Sequence, residues 1–216
     1  MHYNEFIYKS AIKMKKIKEL NINDNKLSDY ATNELEENGV VIVNNFISKE
    51  NCLKLKNLLD GSQLKNSNEL TFVHLDDAKF FSNAIAESKA AYDLVTSQNT
   101  FNISKKYLGE NIRLKCHRAY SIKKNYYFPW HTDNKFDDVK NNRKGIVFII
   151  YLVDTDNGAT EFVIGSHKES SKFKNNNFLD SFINSKFKNN ISKAKGASGC
   201  AVISDTTALA PYGDLK

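Results

Sequence analysis

Four segments that read as β, 112–122, 145–153, 159–164 and 199–204, are strung between polar loops along the second half of this 216-residue chain. A strand cannot satisfy its own backbone hydrogen bonds, so each must pair with others, and short strands separated by polar loops make an antiparallel sandwich or barrel. The first half reads differently. Residues 1–36 are polar and helix-prone, with a capped helix from Leu27-Ser28-Asp29 through Glu36 that runs into the turn Asn38-Gly39. The β-branched run 40–43 predicts a buried strand, and Ser48 is placed to cap a helix through Leu59 whose Cys52, Leu55, Leu58 and Leu59 share a face. Over 78–108 the spacing of Phe80, Ala84, Ala91, Leu94, Val95 and Tyr107 predicts more helix, interrupted near Asn99-Thr100. The expected fold is mainly β with flanking helices (α+β), a helix-flanked jelly roll. One domain spans 1–216: a mostly helical part over 1–110 that carries one leading strand, and core β segments over 111–216.

Composition narrows the function. With 41% hydrophobic and 26% charged residues the chain is that of a folded protein. Its three cysteines, Cys52, Cys116 and Cys200, have no C-x-x-C spacing, so neither a disulfide framework nor a structural zinc site is expected, and a reducing, cytoplasmic setting follows. Cys116 and Cys200 fall in predicted strands and read as small buried hydrophobes. No leader and no 18-residue apolar run is seen, so no membrane partner is expected. The net charge of +6 is spread over lysines mixed with acids and asparagines, a solvated surface rather than a nucleic-acid footprint. Neither an internal repeat nor a phosphate-binding glycine loop occurs.

The chemistry points to Trp130-His131-Thr132-Asp133-Asn134. On an extended segment His131 and Asp133, two apart, project to one side and can grip one metal ion. They supply two thirds of a facial triad, the arrangement that leaves sites on Fe(II) open. Phe128 and Trp130 are candidate walls of a substrate pocket, with core packing the other reading of both. His74 and His117 read as ordinary polar residues, the latter alternating with Cys116 and Arg118 on a predicted strand.

Downstream of the apolar strand at 146–152 comes Asp156-Asn157-Gly158-Ala159-Thr160-Glu161-Phe162-Val163-Ile164-Gly165-Ser166-His167-Lys168. The order of H-x-D, apolar strand and this segment resembles the phytanoyl-CoA dioxygenase-like branch of the Fe(II)/2-oxoglutarate-dependent dioxygenases, in which N-G-x-x-x-x-x-P-G-S-H-K follows. Residues 35–43 and 46–48 are similar to that family's leading strand and helix, so the resemblance covers about 28 to 210. It implies a double-stranded β-helix of cupin type, Fe(II) and 2-oxoglutarate as cofactors, and oxidation of a C–H bond of a small-molecule substrate coupled to conversion of 2-oxoglutarate to succinate. It also implies that His167 closes a loop at the rim and does not bind metal, while Asn157-Gly158 serves as a turn. Asp133 argues against halogenation.

The pattern breaks at its end. The family's third ligand is a histidine on a strand of the form G-D-x-x-x-F-D-T-x-x-x-H, whose counterpart here is the run from Gly199 to Ala210, with alanine in the histidine's place. A one-residue deletion before Ala210 would give the same text. No counterpart of the arginine that holds 2-oxoglutarate is found up to Lys216, so Arg118 and Tyr120, on a strand expected to run beside the H-x-D strand, and then Lys123 or Lys216, are the candidate substitutes. An altered C-terminus, a relic fold that binds a small ligand or protein partner without catalysis, and an enzyme with replacement groups all remain open readings.

Overall fold

The structure, a computed structural model, describes residues 15–22, 26–62, 72–75, 78–81, 84–122, 129–133, 144–156, 158–173 and 175–211. Helix α1 (Leu27–Asn38) turns Leu27, Ala31 and Leu35 inward at helical spacing and stops at Gly39, whose left-handed φ of 77° lets its N–H reach back to the Leu35 carbonyl. The chain passes at once into β2 (Val40–Asn44). Val40 to Val43 are buried on both faces, because β2 is an inner strand of a sheet ordered β1 (Lys18–Asn21), β2, β11 (Ala201–Asp205), β7 (Ile146–Ile150). Such a strand reads as one continuous apolar run rather than an alternation.

Each face of that sheet has its own core. Val41, Val43, Ala201 and Ile203 pack on α1 and on Ile103 and Tyr107 of α5 (Gln98–Leu108). Val40, Ile42, Cys200 and Val202 pack against Phe162, Ile164, Ala194 and Ala208. Those partners belong to a second layer, in which β8 (Glu161–Val163) pairs antiparallel with β10 (Ile191–Lys193) and β6 (Trp130–His131) pairs with β9 (Asn177–Phe178). Residues 209–210 join the two pairs: Val163 N–H donates to the Leu209 carbonyl, and Ala210 bridges His131. The outer side of this layer, Trp130, Val163 and Leu209, is covered by Phe173 and by Ile183 and Phe187 of α6 (Asp180–Phe187).

A third sheet, β3 (Phe72–Leu75), β4 (Ala78–Phe81) and β5 (Ala119–Ile122), accompanies α2 (Lys49–Ser62), α3 (Ala84–Glu87) and α4 (Lys89–Val95). The fold is thus mixed α and β. Ser48 caps α2 as expected, its hydroxyl accepting from Asn51 N–H. Other expectations need correction: α1 begins after Lys26 with no side-chain cap on its first turn, so the cap expected around Ser28 is not made. Residues 78–81 form a strand, their apolar spacing being settled by pairing with β3 and β5. The helix break falls at Ser97, whose side chain caps α5 by accepting from Thr100 N–H. Only 119–122 of the segment 112–122 is strand, and Cys116 is exposed. Residues 18–21 make a parallel strand within a segment read as helix-prone. Among the described residues no helix is long and apolar enough to cross a membrane.

Candidate metal centre

Strand β6 carries the site between two neighbours. On one side His131 and Ala210 exchange backbone hydrogen bonds, both 3.0 Å; on the other His131 stands opposite Asn177 of β9. The period of two in a strand sets Trp130 and His131 on opposite faces. Trp130 faces the cluster under α6 with Phe173, Ile183 and Phe187, the core-packing alternative to a pocket wall. His131 faces the other way, and Asp133 follows it.

The imidazole is oriented from behind. His131 Nδ1 lies 2.9 Å from the Pro129 carbonyl, which can only accept, so Nδ1 carries a proton and Nε2 is the atom presented to the site. Nε2 is 3.6 Å from Asp133 Oδ1. Two donors in adjacent positions on one ion, each about 2.1 Å from it, stand roughly 3 Å apart, so closing the pair by about half an ångström lets one cation touch both. A metal-bound histidine usually donates its second N–H to such an oxygen, which fixes ring and tautomer. Burial pulls the His131 pKa down, but the adjacent Asp133 carboxylate and the hydrogen bond to the Pro129 carbonyl outweigh it and raise the net value. The locality therefore favours positive charge, a proton or a metal ion. Among the described residues no three His, Cys, Asp or Glu side chains cluster as a metal cage, so the fit is that of a two-donor site.

Other sequence candidates lie elsewhere. Tyr120 is in β5 and Arg118, exposed, just precedes it; the described partner of β5 is β4, whereas β6 pairs with β9 and bridges Ala210, so the expected run of β5 beside β6 is not among the described pairings. Lys123, Phe128, Asn157 and Lys216 lie outside the described residues. His74 is on β3 opposite Lys79. His117 precedes β5, with burial pushing its pKa down. His167, in a 3₁₀ turn over Ser166–Lys172, puts Nε2 3.0 Å from the Glu36 carbonyl and so ties that turn to the end of α1. Cys200 is buried as expected. Sequence reasoning missed the Pro129 carbonyl and all of β9; the first could have been suspected from its place two residues before the histidine, but a two-residue strand inside an asparagine-rich stretch leaves no signal.

Comparison with known proteins agrees with this architecture. The phytanoyl-CoA dioxygenase family model matches residues 35–201, well over half of the chain. No curated protein matches in sequence. Among solved structures, the epimerase SnoN in complex with Fe3+, α-ketoglutarate and nogalamycin RO is similar at TM-score 0.63 and 14% identity, over 88% of this chain and 78% of that one. HygX from Streptomyces hygroscopicus, with nickel, 2-oxoglutarate and hygromycin B, is similar at TM-score 0.66 and 13% identity, over 87% and 81%. A second HygX structure, with nickel and 2-oxoglutarate, gives TM-score 0.67 and 12% identity over the same shares. At this identity the neighbours establish a shared fold. The chain belongs to the phytanoyl-CoA dioxygenase family, whose cofactors are iron and 2-oxoglutarate. The segment bearing Ala210 lies past the matched residues.

Proposed function

We propose that this protein is a non-haem Fe(II)/2-oxoglutarate-type dioxygenase that oxidises a small molecule, its metal held by His131 and Asp133. The observation that carries the reading is His131 Nε2 standing 3.6 Å from Asp133 Oδ1 while the Pro129 carbonyl holds Nδ1. Two layers of strands with an apolar core between them, helices outside, and the neighbours' fold support a double-stranded β-helix. Iron with 2-oxoglutarate would supply the oxidising chemistry. This chain's residues would do the rest: Asp133 gives charge and one oxygen, His131 gives Nε2, and Pro129 keeps the ring from turning. Arg118, Tyr120 and Lys123 remain the proposed contacts for the dicarboxylate, and Phe128 and Trp130 the proposed pocket walls. A cytoplasmic setting belongs to the same proposal.

One observation favours a second reading, a catalytically silent protein that binds a small ligand or partner: the residue bonded across from His131 is alanine. Metal content by plasma mass spectrometry of the purified protein, His131→Ala and Asp133→Ala, followed by substrate-free oxygen uptake with 2-oxoglutarate, separates the two. One ion per chain, lost in both variants, with uptake supports the oxygenase; metal without uptake supports the silent protein; metal unchanged in both variants refutes the site.

A further inference from the structure

The two neighbours of β6 approach His131 in different ways. Both backbone groups of His131 are spent on Ala210, whereas the link to β9 runs through the next residue, Thr132 N–H donating to the Asn176 carbonyl at 2.9 Å. In an antiparallel ladder this makes His131–Ala210 a hydrogen-bonded pair and His131–Asn177 a non-hydrogen-bonded one, whose Cα atoms are about 4.5 rather than 5.5 Å apart and whose side chains come closer. Directly opposed residues project to the same face. The Asn177 carboxamide is therefore on the His131 side of the layer, in the pair whose side chains come closer. Asn177 is exposed, and among the described residues its side chain makes no hydrogen bond. Phe178, next to it, turns the other way and stacks among Phe173 and Phe182, which pins the face that Asn177 presents.

We propose that Asn177 is the third protein donor of this centre, its carboxamide oxygen binding the cation that His131 and Asp133 hold, from the flank opposite Ala210. The inference rests on the reading of His131 and Asp133 as a metal pair. A side-chain amide oxygen is an ordinary ligand for hard divalent cations, and opposed Cβ atoms roughly 5 Å apart leave room for one ion bound by both side chains. Exchanging an imidazole for a neutral oxygen also moves the site toward oxygen-loving ions, so Mn(II) becomes a good probe alongside Co(II).

The test is Mn(II) titration followed by electron paramagnetic resonance, with Co(II) absorption in parallel, on the intact protein, Asn177→Ala and Asn177→Asp. Because Asn177 is exposed, both variants should melt as the parent does. The expected result is Mn(II) weaker by about 10-fold or more in Asn177→Ala and tighter in Asn177→Asp, with a changed Co(II) spectrum in both. Affinities and spectra unmoved in both variants overturn the proposal and leave the His131–Asp133 pair standing. A parent protein that binds neither ion removes the pair, and this inference with it.

Discussion

His131 and Ala210 face each other across an antiparallel bridge, each amide donating to the other's carbonyl at 3.0 Å. The pairing sets the Ala210 methyl on the His131 face, so a longer side chain at 210 would project beside Nε2. Ala210→His should therefore tighten Co(II) by on the order of 10-fold or more, as groups around metal ligands commonly count for 10–100-fold. Placing the histidine one position on, as Pro211→His, is expected to gain nothing, since a one-residue step turns the side chain to the other face. A gain in Pro211→His and none in Ala210→His would show the register to be off by one.

The segment that ends at Ala210 is itself moored at Asp205. Tyr107 O–H donates to Asp205 Oδ2 at 2.5 Å, and Asp205 Oδ1 accepts from Thr207 N–H at 2.6 Å. Asp205 is buried, and its own N–H reaches the Gly39 carbonyl. Tyr107→Phe leaves a buried carboxylate oxygen without its donor, a loss worth about 1–3 kcal/mol. Urea unfolding should show it. A cost below about 0.5 kcal/mol would mean that water replaces the phenol, which the burial of the pair argues against.

What could be read in the sequence was what is local. The helix from Leu27 through Glu36 with its Asn38-Gly39 turn, the Ser48 cap and the run 40–43 each carry their own physical signal, and they match α1, α2 and β2. The His131–Asp133 spacing is equally local, and the structure sets their side chains 3.6 Å apart. Elements decided by a distant partner were illegible. Strand β1, the mostly exposed Lys-Glu-Leu-Asn, is extended because it pairs in parallel with β2, and Phe80-Phe81 suits helix or strand until β3 and β5 flank it. Cys116 shows the converse error: it falls in a segment read as strand and so was expected to be buried, yet pairing in this segment begins only at Ala119 and Cys116 is exposed.

Gly39 ends α1 at a point where a side chain would meet His167. A Cβ there would lie 2.5 Å from Nδ1 of a ring whose Nε2 is held by the Glu36 carbonyl, so the ring has little room to retreat. Gly39→Ala combines that clash with the cost of a left-handed φ, roughly 1–2 kcal/mol by itself. The double variant Gly39→Ala with His167→Ala should recover the clash and keep the backbone cost, giving a favourable coupling in a double-mutant cycle. Strict additivity would place the two residues apart.

Alkaline pH should single out Cys200. Burial, then the charge of Glu19 and the neighbouring Cys52, push its thiol up from an ordinary value near 9 to about 11. A group whose pKa is raised on folding stabilises the fold below its unfolded value and loses that contribution as pH rises through the folded one, because the unfolded chain gives up its proton first. Stability should accordingly fall between about 9 and 11 on this account. Cys200→Ala lacks the thiol and should show a shallower decline over the same interval, even though it starts less stable at neutral pH for want of a sulfur packed in the core between the layers. Tyr107 and Tyr151 also resist ionisation through burial, so both proteins will lose stability further up the scale. The informative quantity is therefore the difference between the two unfolding curves measured in urea at pH 8, 9, 10 and 11: it should narrow as pH rises. A constant difference would mean that the Cys200 thiol ionises as readily in the folded chain as in the unfolded one.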